Sequence, residues 1–355
     1  MSIFDTVRLT QLVDSMPRPS SFLLDTFFPL LQLSEAEEIA FDVRDGSRRV
    51  APFVSPLVQG KIIEAQGFRT EKFKPAYLKL KGVLDSERPL KRAMGETIGG
   101  PLPMVSRLDL ILMDLLAEHV DMINRRLELM ASEILRTGRV TVTGEQYPTQ
   151  VVDFGRHADH TVSLGATVKW SVANVDPAGD LAEWSLDMLK RAGQAPTAVV
   201  MDIDAWQAFI QHPTVSARLD VRNLNAGALT TGTPATVGAS LMGTLDGRAI
   251  YVYADWYVDP ADEVEKPILP SGTVLLGAPR LQGVRAFGAI RDHAAGFVAK
   301  PYFPKSWTDE DPSVRYVLTQ SAPLLITTVP NASFAATVLG GMPMSPIPIV
   351  GIIGL

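Results

Sequence analysis

Residues 107–136 read RLDLILMDLLAEHVDMINRRLELMASEILR, thirty residues without a proline or a glycine. Asp114, Glu118, Asp121, Arg125 and Glu128 recur at spacings of three and four, which predicts one solvated stripe. Leu108, Leu112, Leu115, Ile123, Leu127, Met130 and Ile134 fall on the apolar side. Ser106 with Asp109 predicts a start of the capping-box type, and Gly138 predicts the stop. At ~1.5 Å per residue such a helix spans ~45 Å, long for a globular domain. It reads as a spine along which other elements pack.

Upstream lies the one strongly basic stretch. Between Lys61 and Arg92 there are nine Lys or Arg against four Asp or Glu. Leu78 and Leu80 alternate with Lys79 and Lys81, the period-two pattern of a strand with one wet face. Glu38 to Asp85 reads as extended chain, a long two-stranded excursion. A lone hairpin is at best marginally stable in water, so this one needs something to lie against. Further upstream, Phe22, Leu23, Leu24, Phe27 and Phe28 form a dense apolar cluster among Pro17, Pro19 and Pro29. Two readings are open: a clip that packs on its own body, or an arm that packs on a neighbour.

Downstream, Arg139 to Val142 and Gln150 to Phe154 predict a hairpin. Asp180 to Ala192 predicts an amphipathic helix with Leu181, Trp184 and Leu189 inside. Thr197 to Met201 reads as a short buried strand, and Asp204 as the cap of a helix holding Trp206 and Phe209. Asn223 to Thr236 reads as a Gly/Thr/Ala-rich loop. Leu241 to Leu245 and Ala249 to Tyr253 flank Asp246-Gly247, a strong hairpin pair. Strands are also predicted at Val274 to Leu276, Val284 to Ala286 and Val317 to Thr319. The class is α+β, with a second lobe near Val175 to Pro279.

Composition excludes several kinds of protein. The chain has 355 residues, 46% of them apolar, and a formal net charge of −6, too apolar and too weakly charged for disorder. It has no cysteine, hence no disulfide framework, thiolate metal site or Cys nucleophile. The mildly acidic balance argues against a dedicated nucleic-acid binder. No basic run followed by an apolar core marks a signal peptide, and no window of ~18 uninterrupted apolar residues predicts a membrane span. A soluble intracellular protein is expected.

The search for chemistry yields little. No phosphate-binding loop, dinucleotide fingerprint, nucleophile elbow or H-E-x-x-H motif is present. His157-x-x-His160 with Asp153 and Asp159 has metal-like spacing but lies in a polar turn, so incidental histidines are expected. His119 reads as a surface or satisfied histidine, and Asp202 with Asp204 as helix capping rather than a cation site. A hydrolase or metal enzyme using Asp153, His157 and His160 is the rival to a purely structural role.

An ordered set of short segments resembles the major capsid proteins of lambda-type tailed phages, within the Hong Kong 97 capsid fold. These are Phe53-Val54-Ser55-Pro56 with Gly60, then Phe73-Lys74-Pro75-Ala76-Tyr77, then the long helix. Thr141-Val142-Thr143-Gly144-Glu145 follows, with Val152-Asp153-Phe154-Gly155-Arg156, Pro304-Lys305-Ser306-Trp307 and Gln320-Ser321-Ala322-Pro323-Leu324. The resemblance implies an N-terminal arm (1–33) and an extended E-loop (34–90). It implies a peripheral domain on the spine helix (91–174 and 280–339) and an axial domain (175–279). It also implies hexamers and pentamers closing into an icosahedral virion shell around double-stranded DNA, in the host bacterial cytoplasm, with no catalytic step, cofactor, metal or membrane. A scaffold protein and protease would be supplied separately, a portal would join the shell, and a decoration protein could reinforce it. Asparagine is rare, so no lysine–asparagine crosslinking is expected. A cellular nanocompartment shell of the same fold is the alternative.

Candidate contacts between copies are Phe22, Phe27 and Phe28 of the arm and Arg69, Lys72, Lys74, Lys79 and Lys81 of the E-loop. From Tyr316 to Leu355 no side chain is charged. Gly340 to Leu355, beyond the resemblance, holds Ile347, Ile349 and Ile352 between prolines that exclude a regular helix. Those aliphatic side chains predict an added strand or clamp on the chain's own body or on a neighbour.

Overall fold

In the computed structural model of the chain, the structure describes residues 4–44, 68–85, 103–144, 147–218, 233–236, 238–278, 281–311, 314–340 and 349–350. The arm carries helices α1 (Thr6–Ser15) and α2 (Phe22–Phe27), followed by strands β1 (Leu30–Leu33) and β2 (Ile39–Arg44). Strands β3 (Phe68–Phe73) and β4 (Leu78–Asp85) precede the spine helix α3 (Met104–Thr137). Then come β5 (Arg139–Gly144), β6 (Tyr147–Asp153), β7 (Thr161–Ser163), helix α4 (Pro177–Ala192), β8 (Ala198–Met201) and helices α5 (Ile203–Gln211) and α6 (Pro213–Arg218). The remaining strands are β9 (Thr233–Thr236), β10 (Ala239–Leu245), β11 (Arg248–Tyr253), β12 (Trp256–Val258), β13 (Glu265–Pro267), β14 (Thr273–Gly277) and β15 (Val284–Phe287). Last are β16 (Phe303–Asp309), β17 (Val314–Ser321), β18 (Pro323–Ile326), β19 (Ser333–Thr337) and β20 (Ile349–Val350). The α+β expectation holds.

The spine helix has 34 residues, ~51 Å at ~1.5 Å each. It ends where expected. Gly138 takes φ 70°, a left-handed conformation that a glycine adopts without a Cβ clash, and its N–H bonds to Ile134 O. The start differs: the helix begins at Met104 behind Pro103, with no side-chain cap, so Ser106 lies inside the first turn. Along the stripe Asp114, Glu118 and Arg125 are exposed, but Glu128 is buried. From Arg126 to Arg136 every residue of the helix is buried. Tertiary packing wraps that half completely, and a periodicity measured along the sequence cannot register neighbours arriving from other segments.

Around this axis the strands form separate layers. The largest sheet has seven strands in the order β7-β19-β14-β8-β11-β10-β9. Its centre is β8, flanked by β11 in parallel and β14 antiparallel, and all four β8 residues are buried, as a fully covered strand requires. This sheet takes Thr161–Ser163 and Ser333–Thr337 beside strands of 198–277, so it crosses the lobe boundaries at 175 and 279. The β10–β11 hairpin turns on Asp246 and Gly247, both at positive φ, as a two-residue loop with native twist demands.

Several local expectations are corrected. The cap of α5 is Asp202, whose carboxylate accepts the Asp204 and Ala205 N–H groups, while Asp204 accepts from the Ser271 hydroxyl. On α4 the inward residues are Leu181, Trp184 and Met188, and Leu189 is exposed. The last four residues of the Asn223–Thr236 loop pair as β9 on β10. The basic excursion divides in two. Strand β2 pairs with β3, but β4 joins β17 and β16 in the body, with Leu78, Leu80 and Leu84 inward and Lys79 and Lys81 outward.

Candidate assembly surfaces

Buried polar side chains of the spine helix fasten one layer each. His119 Nδ1 lies 2.9 Å from Thr319 Oγ1, and Asn124 accepts from the Tyr302 hydroxyl at 2.7 Å. Ser132 donates to Ile268 O, and Glu133 Oε1 accepts the Thr141 N–H. Burial drives His119 down to about 4, so it is a neutral, satisfied histidine at pH 7. At the C-terminal end of the helix the Arg156 guanidinium donates to Leu135 O at 2.5 Å, to Arg136 O and to Thr161 Oγ1 at 2.6 Å. A cation is favourable there because the last carbonyls of a helix are unsatisfied and carry partial negative charge. Burial, with Arg136 nearby, still lowers the Arg156 guanidinium to about 9.

Within the single chain the arm packs as a clip on its own body. Phe22, Phe27 and Phe28, expected as neighbour contacts, are buried within their own chain. The Phe22 ring packs on Tyr251, centroids 4.8 Å apart. Phe27 and Phe28 sit over Gly277 and Gly283, where a Cβ would lie 2.0 Å and 2.3 Å from the nearest ring atoms. The two glycines make sockets that no other residue leaves open.

The basic residues find partners nearby. Arg69 pairs with Glu71 at 2.9 Å, and Lys74 with Glu37 at 2.7 Å. Lys79 lies over the Tyr77 ring, and Lys81 over Tyr316 at 3.6 Å from its centroid with Trp307 behind it. Lys72 is exposed on β3. Of the tail, Ile349 and Val350 pair in parallel with Val142 and Thr143 of β5, whereas Ile347 and Ile352 lie outside the described residues.

The enzymatic rival loses its constellation. His157 accepts the Asp159 N–H, His160 is buried between Ser333 O and Asp187, and Asp153 pairs with Arg139 at 2.8 Å. Asp153, His157 and His160 thus each lie against a different residue. Among the described residues no three His, Asp or Glu converge on a metal position, and no helix is long and apolar enough to cross a membrane.

What remains open is apolar surface. All four residues of β1 are exposed, with Leu31 60% accessible, and β1 is the edge of a three-stranded sheet. Met104, Val105, Leu110 and Met113 are exposed on the first half of the spine. Trp256, Val258 and Val264 are exposed on the β12–β13 hairpin, beside a groove of about 420 Å³ against Met122 and Leu129. Contiguous exposed apolar residues of this kind mark protein–protein contact. No pattern in the sequence distinguishes these leucines and valines from core residues.

Residues 5–338 match the model of a family described as phage major capsid protein E. The major capsid protein of enterobacteria phage P21 is 29% identical over 337 residues, 93% of this chain and 98% of that protein. That of Escherichia phage lambda is 28% identical over 339 residues, with the same coverage. Among solved structures, a prophage capsid protein from E. coli CFT073 superposes with TM-score 0.72 at 21% identity, covering 94% of this chain and 99% of that one. The mature capsid of bacteriophage PhiM1 gives 0.50 at 11% identity over 92% of this chain and 90% of that one. The fold shared with them is the Hong Kong 97 capsid fold expected from the sequence.

Proposed function

Because the chain belongs to the phage major capsid protein E family, we propose that it builds a phage head by assembling as hexamers and pentamers into an icosahedral shell around double-stranded DNA. The observation that carries this reading is a family match running without a break over nearly the whole chain, residues 5–338. In the reading, the work of the protein is contact rather than catalysis, and the exposed apolar faces of β1, the spine helix and the β12–β13 hairpin are covered by other copies. Scaffold protein, protease and portal are separate partners, a decoration protein is a possible addition, and assembly takes place in the host cytoplasm. The layout is arm, E-loop, peripheral domain and axial domain, with the seven-stranded sheet binding the last two together. Negative-stain images of purified protein, with and without its scaffold, test it. Closed shells support the reading, and a dispersed monomer under both conditions refutes it.

The basic face of β3 and β4 gives the first specific expectation. Lys79 and Lys81 point outward beside aromatic rings, and we propose that with Arg69, Lys72 and Lys74 they also meet acidic residues of a neighbour. One exposed pair is worth only ~0–1 kcal/mol. A closed shell repeats it at every subunit, and charges beyond ~8–10 Å are screened near physiological salt. Lys79→Glu with Lys81→Glu should therefore weaken assembly and flatten its salt dependence, as measured by light scattering. Unchanged assembly and unchanged salt dependence would rule the contact out.

The tail gives the second. Its Ile349–Val350 strand covers the edge of β5, and an uncovered edge strand invites pairing with other chains. Ending the chain at Leu339 should leave soluble, folded capsomers whose shells dissociate at lower temperature or denaturant. A short backbone pairing is set against the ordering entropy recovered when the tail is removed, so the loss is graded. Shells of equal stability would show the tail to be dispensable.

A further inference from the structure

Helix α2 of the arm is gripped at both ends by groups from distant parts of the chain. Its own N-cap residue, Ser21, makes no side-chain cap. The two amides that a cap would serve, of Leu23 and Leu24, donate instead to the two carboxylate oxygens of Glu128 on the spine helix, at 2.8 Å each. The Tyr253 hydroxyl of β11 adds a third donor at 2.9 Å. At the other end the Arg285 guanidinium donates to Leu24 O at 3.0 Å and Phe28 O at 2.7 Å, and pairs with Asp25 at 2.6 Å. Gly283 donates its N–H to Phe27 O. Two carboxyl oxygens at the N-terminus and a guanidinium at the C-terminus thus satisfy amides and carbonyls that the ends of a helix leave unpaired. A helix of six residues is too short to persist by itself, so its order comes from this grip and from the two glycine sockets.

We propose that the N-terminal arm is a detachable clasp whose closed position is set by Glu128, so that opening and closing are linked to the uptake of a proton. The closed arm seals the carboxyl away, leaving Glu128 2% accessible. Burial pushes it up to about 7, with Asp255 adding to the rise, against the three hydrogen bonds that pull it down. Arg125 faces Tyr253 and Asp255, and Arg285 with Asp25 lies at the far end of the helix. When the arm lifts, the carboxyl meets water and returns towards its ordinary value of 4.5. A group that titrates higher in the closed state holds its proton more tightly there. Closure is therefore strongest below pH 4.5, weakens as the pH rises to about 7, and is level above that. Across this window the ratio of closed to open falls on the order of 100-fold if the open carboxyl is fully hydrated. In the protonated state the carboxyl can donate to the Tyr253 hydroxyl, so closure survives the loss of the charge.

Hydrogen exchange on the unassembled full-length chain tests the clasp, at pH 5 and pH 8 and after correction for intrinsic rates. The amides of Leu23, Leu24, Phe27 and Phe28 should be ten- to a hundredfold better protected at pH 5, while Val199 and Val200 of β8 report any global change. Glu133 and Asp202, also buried acids, act through that global term. Glu128→Gln should abolish the pH dependence at the arm. Arg285→Gln should lower arm protection at both pH values and keep the pH dependence. Equal protection of the wild-type arm at both pH values overturns the proposal, and so does a pH dependence that persists in Glu128→Gln. Should Glu128→Gln fail to fold, the wild-type measurement decides alone. The outcome does not depend on shell formation, so failure of the assembly reading and failure of the clasp are separable.

Discussion

Leu115→Pro is expected to give insoluble protein rather than soluble, unassembled capsomers. Position 115 lies within the first half of the spine helix, whose residues 104–137 are helical without interruption. Proline there removes one backbone donor and drives its ring into the carbonyl four residues earlier, costing ~3 kcal/mol or more. The lost leucine adds to this. Its methyl groups lie against Gly82 of β4, 2.7 Å from where a Cβ would stand, so the helix and the β4–β17–β16 sheet meet through it. Against a total stability of ~5–15 kcal/mol, a break at this junction removes a large share. Sedimentation of the soluble fraction and far-ultraviolet dichroism check it. Folded, soluble hexamers from this variant would show that the spine does not hold the layers together.

Gly277→Val isolates the arm. Gly277 is the last residue of β14, paired with Ala198 on one side and Ser333 on the other, and its backbone is that of an ordinary strand. Valine suits such a backbone, so the expected damage comes from the side chain alone. Its Cβ would stand 2.0 Å from the Phe27 ring, a distance that no rotamer change in valine relieves. Phe27 must leave its socket, taking Phe28 and the grip of Glu128 and Arg285 on α2 with it. Loss of a buried phenylalanine costs ~3–5 kcal/mol, and the stranded Glu128 adds to it until water reaches the carboxyl. The expected result is a folded body with an arm that proteases cut between residues 16 and 30, and a melting temperature lower by several degrees. An arm as resistant as in the wild type would mean that the sockets are not what holds it.

Both results bear on how copies of this chain meet. The arm spends its phenylalanines on its own body, so the contacts available to a neighbour are of another kind. Among the described residues they include the leucines of β1, the apolar first half of the spine and the Trp256 hairpin. Assembly surfaces of this type fit the proposed shell, in which each copy presents the same patches and symmetry multiplies weak contacts.

Much of this was legible in the sequence. The spine helix could be read because thirty residues without proline or glycine hold one period, and Gly138 could end it only by the left-handed turn that glycine permits. The Asp246-Gly247 hairpin, the buried β8 strand and the alternation of Leu78, Lys79, Leu80 and Lys81 are local patterns fixed by backbone geometry. The family, too, was legible, in an ordered set of short motifs. Arg156, in one of them, is seated on the last carbonyls of the spine. What the sequence could not decide is which side of a boundary a surface lies on. Glu128 belongs by spacing to the solvated stripe, yet the arm and β11 close over it and turn it into a cap. Phe22, Phe27 and Phe28 are equally suited to a neighbour or to their own body, and only the absence of a Cβ at Gly277 and Gly283, some 250 residues away, makes room for them at home. Leu30, Leu31 and Leu33 look like core residues and stand exposed. In each case the deciding partner is remote along the chain. Periodicity records how a segment relates to itself, and burial depends on what arrives from elsewhere.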